Sequence, residues 1–351
     1  MQFALLNQFS SVGGIRLKNL TVIDAHLDLL FDVVRQRHLG RKKVIETDYL
    51  SDFLAGGFDV IVSSIFLDNE FLPEMALRRA LNQICALYDE ISESSDKIML
   101  CKSYDDIIQA KNSGKLGILL SFEGVEPLYN DISLLRVFYE LGVRGVGLVW
   151  SRRNYAGDGC RFEKTEKGKE SGLTDFGISL VKACEELGMF IDVSHLNDEG
   201  FWDVINISQN PVVASHSNCR SIVDSPRNLS DKQIKAIAST GGVIGINAAN
   251  FLTSYDDKDS NIEFLVNHID HIASLVGVSH VGFGFDLCDK LSKYEPDDGP
   301  SPLPRKAFDI LKNHKDVISL IHELENRGYT HRDLNKIVGG NFERVFKEVL
   351  K

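Results

Sequence analysis

Short apolar runs recur along the chain at Thr21–Ala25, Val60–Phe66, Gly117–Ser121, Gly145–Val149, Phe190–Ser194, Val212–Ser215, Gly242–Asn247 and His280–Gly284. They are rich in Val, Ile and Gly and almost continuously apolar, as strands buried on both faces of a parallel sheet are. Between them the apolar positions change to helical spacing, for example over Leu134–Leu141, Thr174–Leu187, Ser230–Ser239 and Ile262–Leu275. Ser230 is the expected N-cap of its helix, and Asp231 suits the positive end. Eight strands alternating with helices predict an α/β fold, and the count fits a closed (β/α)8 TIM barrel. No Gly-x-Gly-x-x-Gly follows the first run, which disfavours an open dinucleotide-binding sheet. Gly157–Gly172, Asp256–Ser260 and Lys290–Pro304 read as loops after the fourth, seventh and eighth strands.

The polar residues that end these runs point to chemistry. The first run continues as VIDAHLD, which sets His26 and Asp28 on one side of an extended chain. Glu123 ends the third run, His195 the fifth, His216 the sixth and Asp286 the eighth. All six fall at carboxyl ends of predicted strands, the face where such barrels build active sites. Taken singly, a histidine here is more readily a hydrogen-bonded core residue, and His-x-Asp arises often by chance. Six on one face converge as metal ligands. Nitrogen and oxygen donors without thiolate suit zinc, with manganese, cobalt or iron chemically admissible. One catalytic zinc needs three protein ligands, so a pair of ions about 3.5–4 Å apart, bridged by Glu123, uses the surplus. Asp286, outside the tight coordination, is placed to take a proton from activated water and pass it to a leaving amine. Glu123 and Asp286 are the candidate catalytic carboxylates.

Neighbouring residues carry plainer readings. Cys288 reads as a small packed hydrophobe, not a ligand. His268 and His271 share a helix face and read as structural. Asp24 and Asp192, each just before a ligand histidine, are candidates to orient that imidazole from behind. Gly339, Gly340 and Asn341 read as packing and capping.

Composition narrows the class. The 351 residues are 43% hydrophobic and 25% charged, which suits one globular domain over 1–351 and excludes disorder. A net charge of -11 argues against nucleic acid or anionic membrane as partners. No stretch approaches about 20 uninterrupted apolar residues, and the N-terminal segment lacks a signal-peptide pattern. Six scattered cysteines without a Cys-x-x-Cys pair read as thiols, so a cytoplasmic location is expected.

The ordered series VIDAHLDLL (22–30), LLSFEGVEPL (119–128), DVSHLND (192–198), VVASHSNCRSIVDSPRNLSD (212–231), NHIDHIASLVGVSHVGFGFD (267–286) and GGNFERVF (339–346) resembles the membrane (renal) dipeptidase family. That is a family of zinc peptidases within the amidohydrolase superfamily. The resemblance implies two zinc ions per chain, one held by His26, Asp28 and Glu123 and the other by Glu123, His195 and His216. It further implies a dipeptide substrate, Arg227 gripping its terminal carboxylate, Asp286 moving a proton or holding its amino group, and a homodimer. The chain departs from the family pattern at LVWSRRN, where Trp150 stands in place of a carbonyl-polarising histidine. Trp150 is thereby a candidate substrate contact, with Arg152, Arg153 or Asn154 as alternative substitutes. INAANF puts Ala249 where the family often has a tyrosine, and Phe285 and Leu287–Asp289 alter the last strand's exit. Two competitors remain: hydrolysis of another small amide or ester by a binuclear amidohydrolase, and a non-catalytic metal- or peptide-binding barrel. Relatives of the first kind bridge their metals with a carboxylated lysine on the fourth strand, and RGVGLVW has none.

Overall fold

A computed structural model describes residues 20–162, 171–294 and 303–351, so parts of two expected loops and the N-terminal segment lie outside the described residues. Its strands are β1 (Ile23–Leu27), β2 (Val60–Ile65), β3 (Ile98–Cys101), β4 (Leu116–Glu123), β5 (Val143–Gly147), β6 (Phe190–Asp192), β7 (Val213–Ala214), β8 (Val243–Ile246) and β9 (Val281–Phe283). Neighbours pair in parallel in the order β1-β2-β4-β5-β6-β7-β8-β9. The β9–β1 seam is bridged by the Asp286 N–H to the His26 carbonyl (3.2 Å) and by the Phe285 N–H to Asp24 Oδ1 (3.0 Å). The result is the expected (β/α)8 barrel, nearly closed, with helices outside.

β3 is an addition that the apolar pattern did not reveal. It pairs with Leu116–Leu119 of β4, beside the stretch Leu120–Glu123 that β5 takes, so it stands off the barrel path. Its run is four residues, and Met99 and Leu100 are only half-buried, so little apolar signal marks it. The expected helices form at Ser133–Glu140, Asp175–Leu187, Asp231–Ser239 and Ile262–Val276. Ser230 caps the third of these through a reciprocal capping box with Gln233.

Alternation decides what lines the barrel. Val60 and Val62 of β2, Leu119 of β4, Phe190 of β6, Val213 and Val243 form one buried cluster with Phe342, Val345 and Phe346 of the C-terminal helix. That helix closes the end opposite the site. Gly339, just before it, lies so near β1 that a Cβ would sit 1.9 Å from the Thr21 carbonyl oxygen. The intervening positions, such as Ile61, Ile118 and Ile244, pack against the outer helices. Following the inward positions upward leads from apolar residues to Ser64, Ser121 and Glu123. In β1 a bulge adds one residue between Asp24 and Leu27 opposite Ile61 and Ser63. Ile23 and Ala25 point inward before it, and His26 and Asp28 after it.

Candidate metal centre

The strand ends bring His26, Asp28, Glu123, His195, His216 and Asp286 together in one cluster, buried except for partly exposed Asp28 and Asp286. Three groupings have ligand atoms within 4.8 Å of one another: His26–Asp28–Glu123, Glu123–His195–His216, and His26–His216–Asp286. Glu123 divides its oxygens between the first two. Oε1 lies 2.9 Å from His195 Nε2 and 3.7 Å from His216 Nε2, whereas Oε2 lies 3.6 Å from His26 Nε2. The His26 and His216 rings stack at 3.7 Å, and the Nε2 atoms of His195 and His216 are 3.0 Å apart. Asp286 sits closer in than expected, with Oδ1 3.9 Å from His26 Nε2.

Two of the residues hold strained backbone. His195 (φ 69°) and Asp286 (φ 56°) are two of the four non-glycine residues with positive φ among the described residues. Such a conformation costs a β-carbon residue about 1 kcal/mol or more and persists where the surroundings enforce it. At both positions the chain turns sharply off a strand and aims the side chain back over the barrel mouth.

Supporting groups fix the imidazoles. Ser215 Oγ donates to Asp192, so it accepts from His216 Nδ1 (2.7 Å), which leaves the Nε2 lone pair facing the cluster. Asp192 therefore acts on His216 through Ser215, whereas the sequence suggested its own neighbour His195. His195 Nδ1 pairs instead with Ser151 Oγ (2.8 Å). Asp24 does not hold the His26 ring: it accepts from the His26 and Phe285 N–H groups and pairs with the ring of His314 at Nε2 (2.7 Å). Ser64 binds Asp28, and Asn247 Nδ2 donates to Asp286 Oδ2 (3.0 Å). Sequence reasoning missed Ser64, Ser151, Ser215, Asn247 and His314. Ser151 and Ser215 adjoin residues already singled out, but nothing in their spacing marks them.

The other expected contacts separate clearly. Arg227 is buried, with guanidinium donors on Ser217 Oγ (3.1 Å) and the His216 carbonyl (3.0 Å). The Trp150 ring lies 6.0 Å from that of His195 and 5.2 Å from that of Phe66. None of the alternatives to it is aimed at the cluster. Arg152 binds Glu126 and the Leu67 carbonyl, Arg153 binds Asp158, and Asn154 binds the Leu148 carbonyl. Cys288 donates to the Asp286 carbonyl (3.2 Å) and belongs to none of the ligand groupings. His268 bridges the Cys219 N–H and the Thr253 carbonyl, and His271 pairs with Asp231, so both are structural as expected. All six cysteines are free thiols.

Electrostatics and orphaned atoms define what the cluster accommodates. Burial disfavours charge on His26, yet Glu123, with Asp286 and Asp28, raises it to about 10. Burial also works against the Glu123 carboxylate, but His26 and His195 hold it well below the usual range. Burial and Glu123 push the Asp28 carboxyl up, and burial pushes Asp286 to about 6. His195 is held neutral, down at about 3, by burial and the Arg227 charge, and His216 is lowered too. His26 Nε2 and Glu123 Oε2 are buried with no hydrogen-bond partner. The neutral imidazoles of His195 and His216, the clustered carboxylates and a His26 whose proton stands where a cation's charge would stand fit divalent cations.

A parallel barrel with a His/Asp/Glu cluster able to hold metal at its mouth is the architecture of a metal-dependent hydrolase. The family model described as Membrane dipeptidase (Peptidase family M19) matches residues 16–351, and the chain belongs to this family of metallopeptidases. A Klebsiella pneumoniae protein from the pqqA 5′ region is 33% identical over 271 residues, which is 76% of this chain and 94% of that protein. Human dipeptidase 3 is 29% identical over 358 residues, 95% of this chain and 66% of its own length. A metallopeptidase structure from Rhodobacter sphaeroides superposes with a TM-score of 0.81 at 24% identity, covering 94% of this chain and 99% of that one, a likeness of fold. Among the described residues, no helix is long and apolar enough to cross a membrane.

Proposed function

We propose that the chain hydrolyses dipeptides with two zinc ions, one held by His26, Asp28 and Glu123 and the other by Glu123, His195 and His216. The observation that carries this reading is the split of Glu123, whose two oxygens face two different ligand groups. When bound, such a pair supplies a hydroxide at neutral pH and polarises the scissile carbonyl. Asp286 has one oxygen tied to Asn247 and the other, Oδ1, turned toward the cluster, so Oδ1 takes the proton and delivers it to the departing amine. Arg227 has two of its five N–H donors engaged and uses the remainder on the substrate's carboxylate, which restricts substrates to short peptides. Trp150 forms a wall of the pocket beside His195. Trp150 offers no imidazole to polarise the carbonyl, only an indole N–H donor.

Mixed dipeptides, including L-D pairs, test this reading. Release of free amino acids that is abolished by chelator and by Asp286→Asn supports it. Hydrolysis of other amides or esters, with dipeptides untouched, would favour the broader amidohydrolase reading. Two bound metals with no turnover of any of these would favour a binding barrel.

A further inference from the structure

Outside the metal centre, a cavity of about 210 Å³ opens between the helices Leu29–His38 and Ala76–Glu93 and the chain leaving β2. Its apolar walls are Phe31, Phe66 and Phe71, with the Phe31 and Phe66 rings 5.6 Å apart. Two side chains that line it each carry a buried polar atom without a partner. Gln83 is 5% exposed, its Nε2 donates to the Phe66 carbonyl (2.6 Å), and that bond leaves its buried Oε1 unpartnered. Arg79 stacks its guanidinium 3.6 Å from the centre of the Phe71 ring and makes no ion pair among the described residues, and its buried Nε is also unpartnered. Arg35 differs, since Asp68 neutralises it at 2.8 Å. An unpaired guanidinium and an unsatisfied amide oxygen in an aromatic recess are costly unless a ligand answers both.

We infer that this cavity binds a free amino acid with an apolar side chain. Arg79 takes the carboxylate, Gln83 Oε1 accepts from the ammonium with Glu70 at the rim, and the side chain lies among Phe31, Phe66 and Phe71. The volume falls below the roughly 300–1,000 Å³ of pockets for drug-sized ligands, which suits a single amino acid. Resting on the proposed dipeptidase reading, the occupant is of the same class as the reaction's product. Phe66 links this cavity to the metal centre through Trp150, whose ring lies 5.2 Å from it and 6.0 Å from that of His195. Occupancy therefore alters the wall of the catalytic pocket.

The test is calorimetric titration of the metal-free full chain with L-phenylalanine and L-leucine, where no hydrolysis takes part. A Trp202→Phe background makes Trp150 the sole tryptophan and reports the link by fluorescence. Binding that Arg79→Gln weakens about tenfold or more, that Arg79→Lys partly keeps and that Arg227→Gln leaves intact supports the site. Unchanged melting of the Arg79 variants shows that the loss is not one of folding. Binding lost in Arg227→Gln but kept in Arg79→Gln places the amino acid in the barrel mouth and overturns the inference, as does no binding at millimolar concentration. A chain that binds in this way yet cleaves no dipeptide loses only the product interpretation.

Discussion

Asn247 is buried, and both ends of its side chain are engaged: Nδ2 holds Asp286 Oδ2, and Oδ1 accepts from the Ala249 N–H. Asp286 at φ 56° has few other restraints on where its carboxylate points. Asn247→Ala is expected to lower kcat roughly 10–100-fold with little change in KM or in bound metal, as steady-state kinetics and metal analysis will show. Ser215 is the counterpart for binding. Ser215→Ala severs Asp192 from His216, so zinc affinity is expected to fall roughly 10–100-fold in competition with a chelating dye. These residues mark the boundary of what a sequence discloses. His26, Asp28, Glu123, His195, His216 and Asp286 are legible because a ligand must stand at a strand end and such ends follow from apolar patterning. Ser215, Ser151 and Asn247 act by distances of 3 Å across neighbouring strands, and no periodicity encodes those. Asp192 shows the same limit: it precedes His195 in the chain but in space holds Ser215, and through it His216, since adjacent strands are nearer than successive residues around a turn.

At the scale of elements, close strand approach is enforced where side chains are absent. A Cβ on Gly284 would sit 1.7 Å from the Ser215 carbonyl oxygen, and one on Gly245 would sit 1.9 Å from it. Gly284→Ala must push β9 away from β7 and β8, and a loss of roughly 1–3 kcal/mol, or more, is expected in denaturant unfolding. The helix Ile262–Val276 contributes a pH dependence through His268, which is neutral because its Nδ1 accepts from Cys219 N–H and its Nε2–H donates to Thr253. Burial lowers it to about 4. The unfolded chain takes up a proton below pH 6.5, whereas the folded chain resists until about pH 4, so the stability at neutral pH declines as pH falls between them. The loss approaches roughly 3 kcal/mol, and His268→Gln is expected to flatten that part of a melting-temperature profile. The eight barrel strands and the capped helix at Ser230 are legible because burial on both faces and polar N-caps leave local marks. β3 escaped notice because it stands half-exposed beside the barrel, and the bulge in β1 because one extra residue leaves the apolar run looking continuous.

For the whole molecule, the barrel spends its length on an apolar interior closed by the C-terminal helix so that one end can gather three carboxylates and three imidazoles away from water. Without cations, the proton that Glu123 holds on His26 partly offsets that negative charge. His26 is raised from 6.5 to about 10, so the stability it lends the metal-free chain is complete below pH 6.5 and is lost as pH rises toward 10. Chelation is expected to lower the melting temperature by roughly 5 °C or more, with a gap wider at pH 9 than at pH 6.5. The direct test of the carboxylate-bridged centre is anomalous diffraction at the zinc edge from crystals of the zinc-loaded chain. The expected result is two peaks about 3.5–4 Å apart, one beside His26 and Asp28, the other beside His195 and His216, with Glu123 between them. A single peak that leaves one of these groups without metal would contradict it.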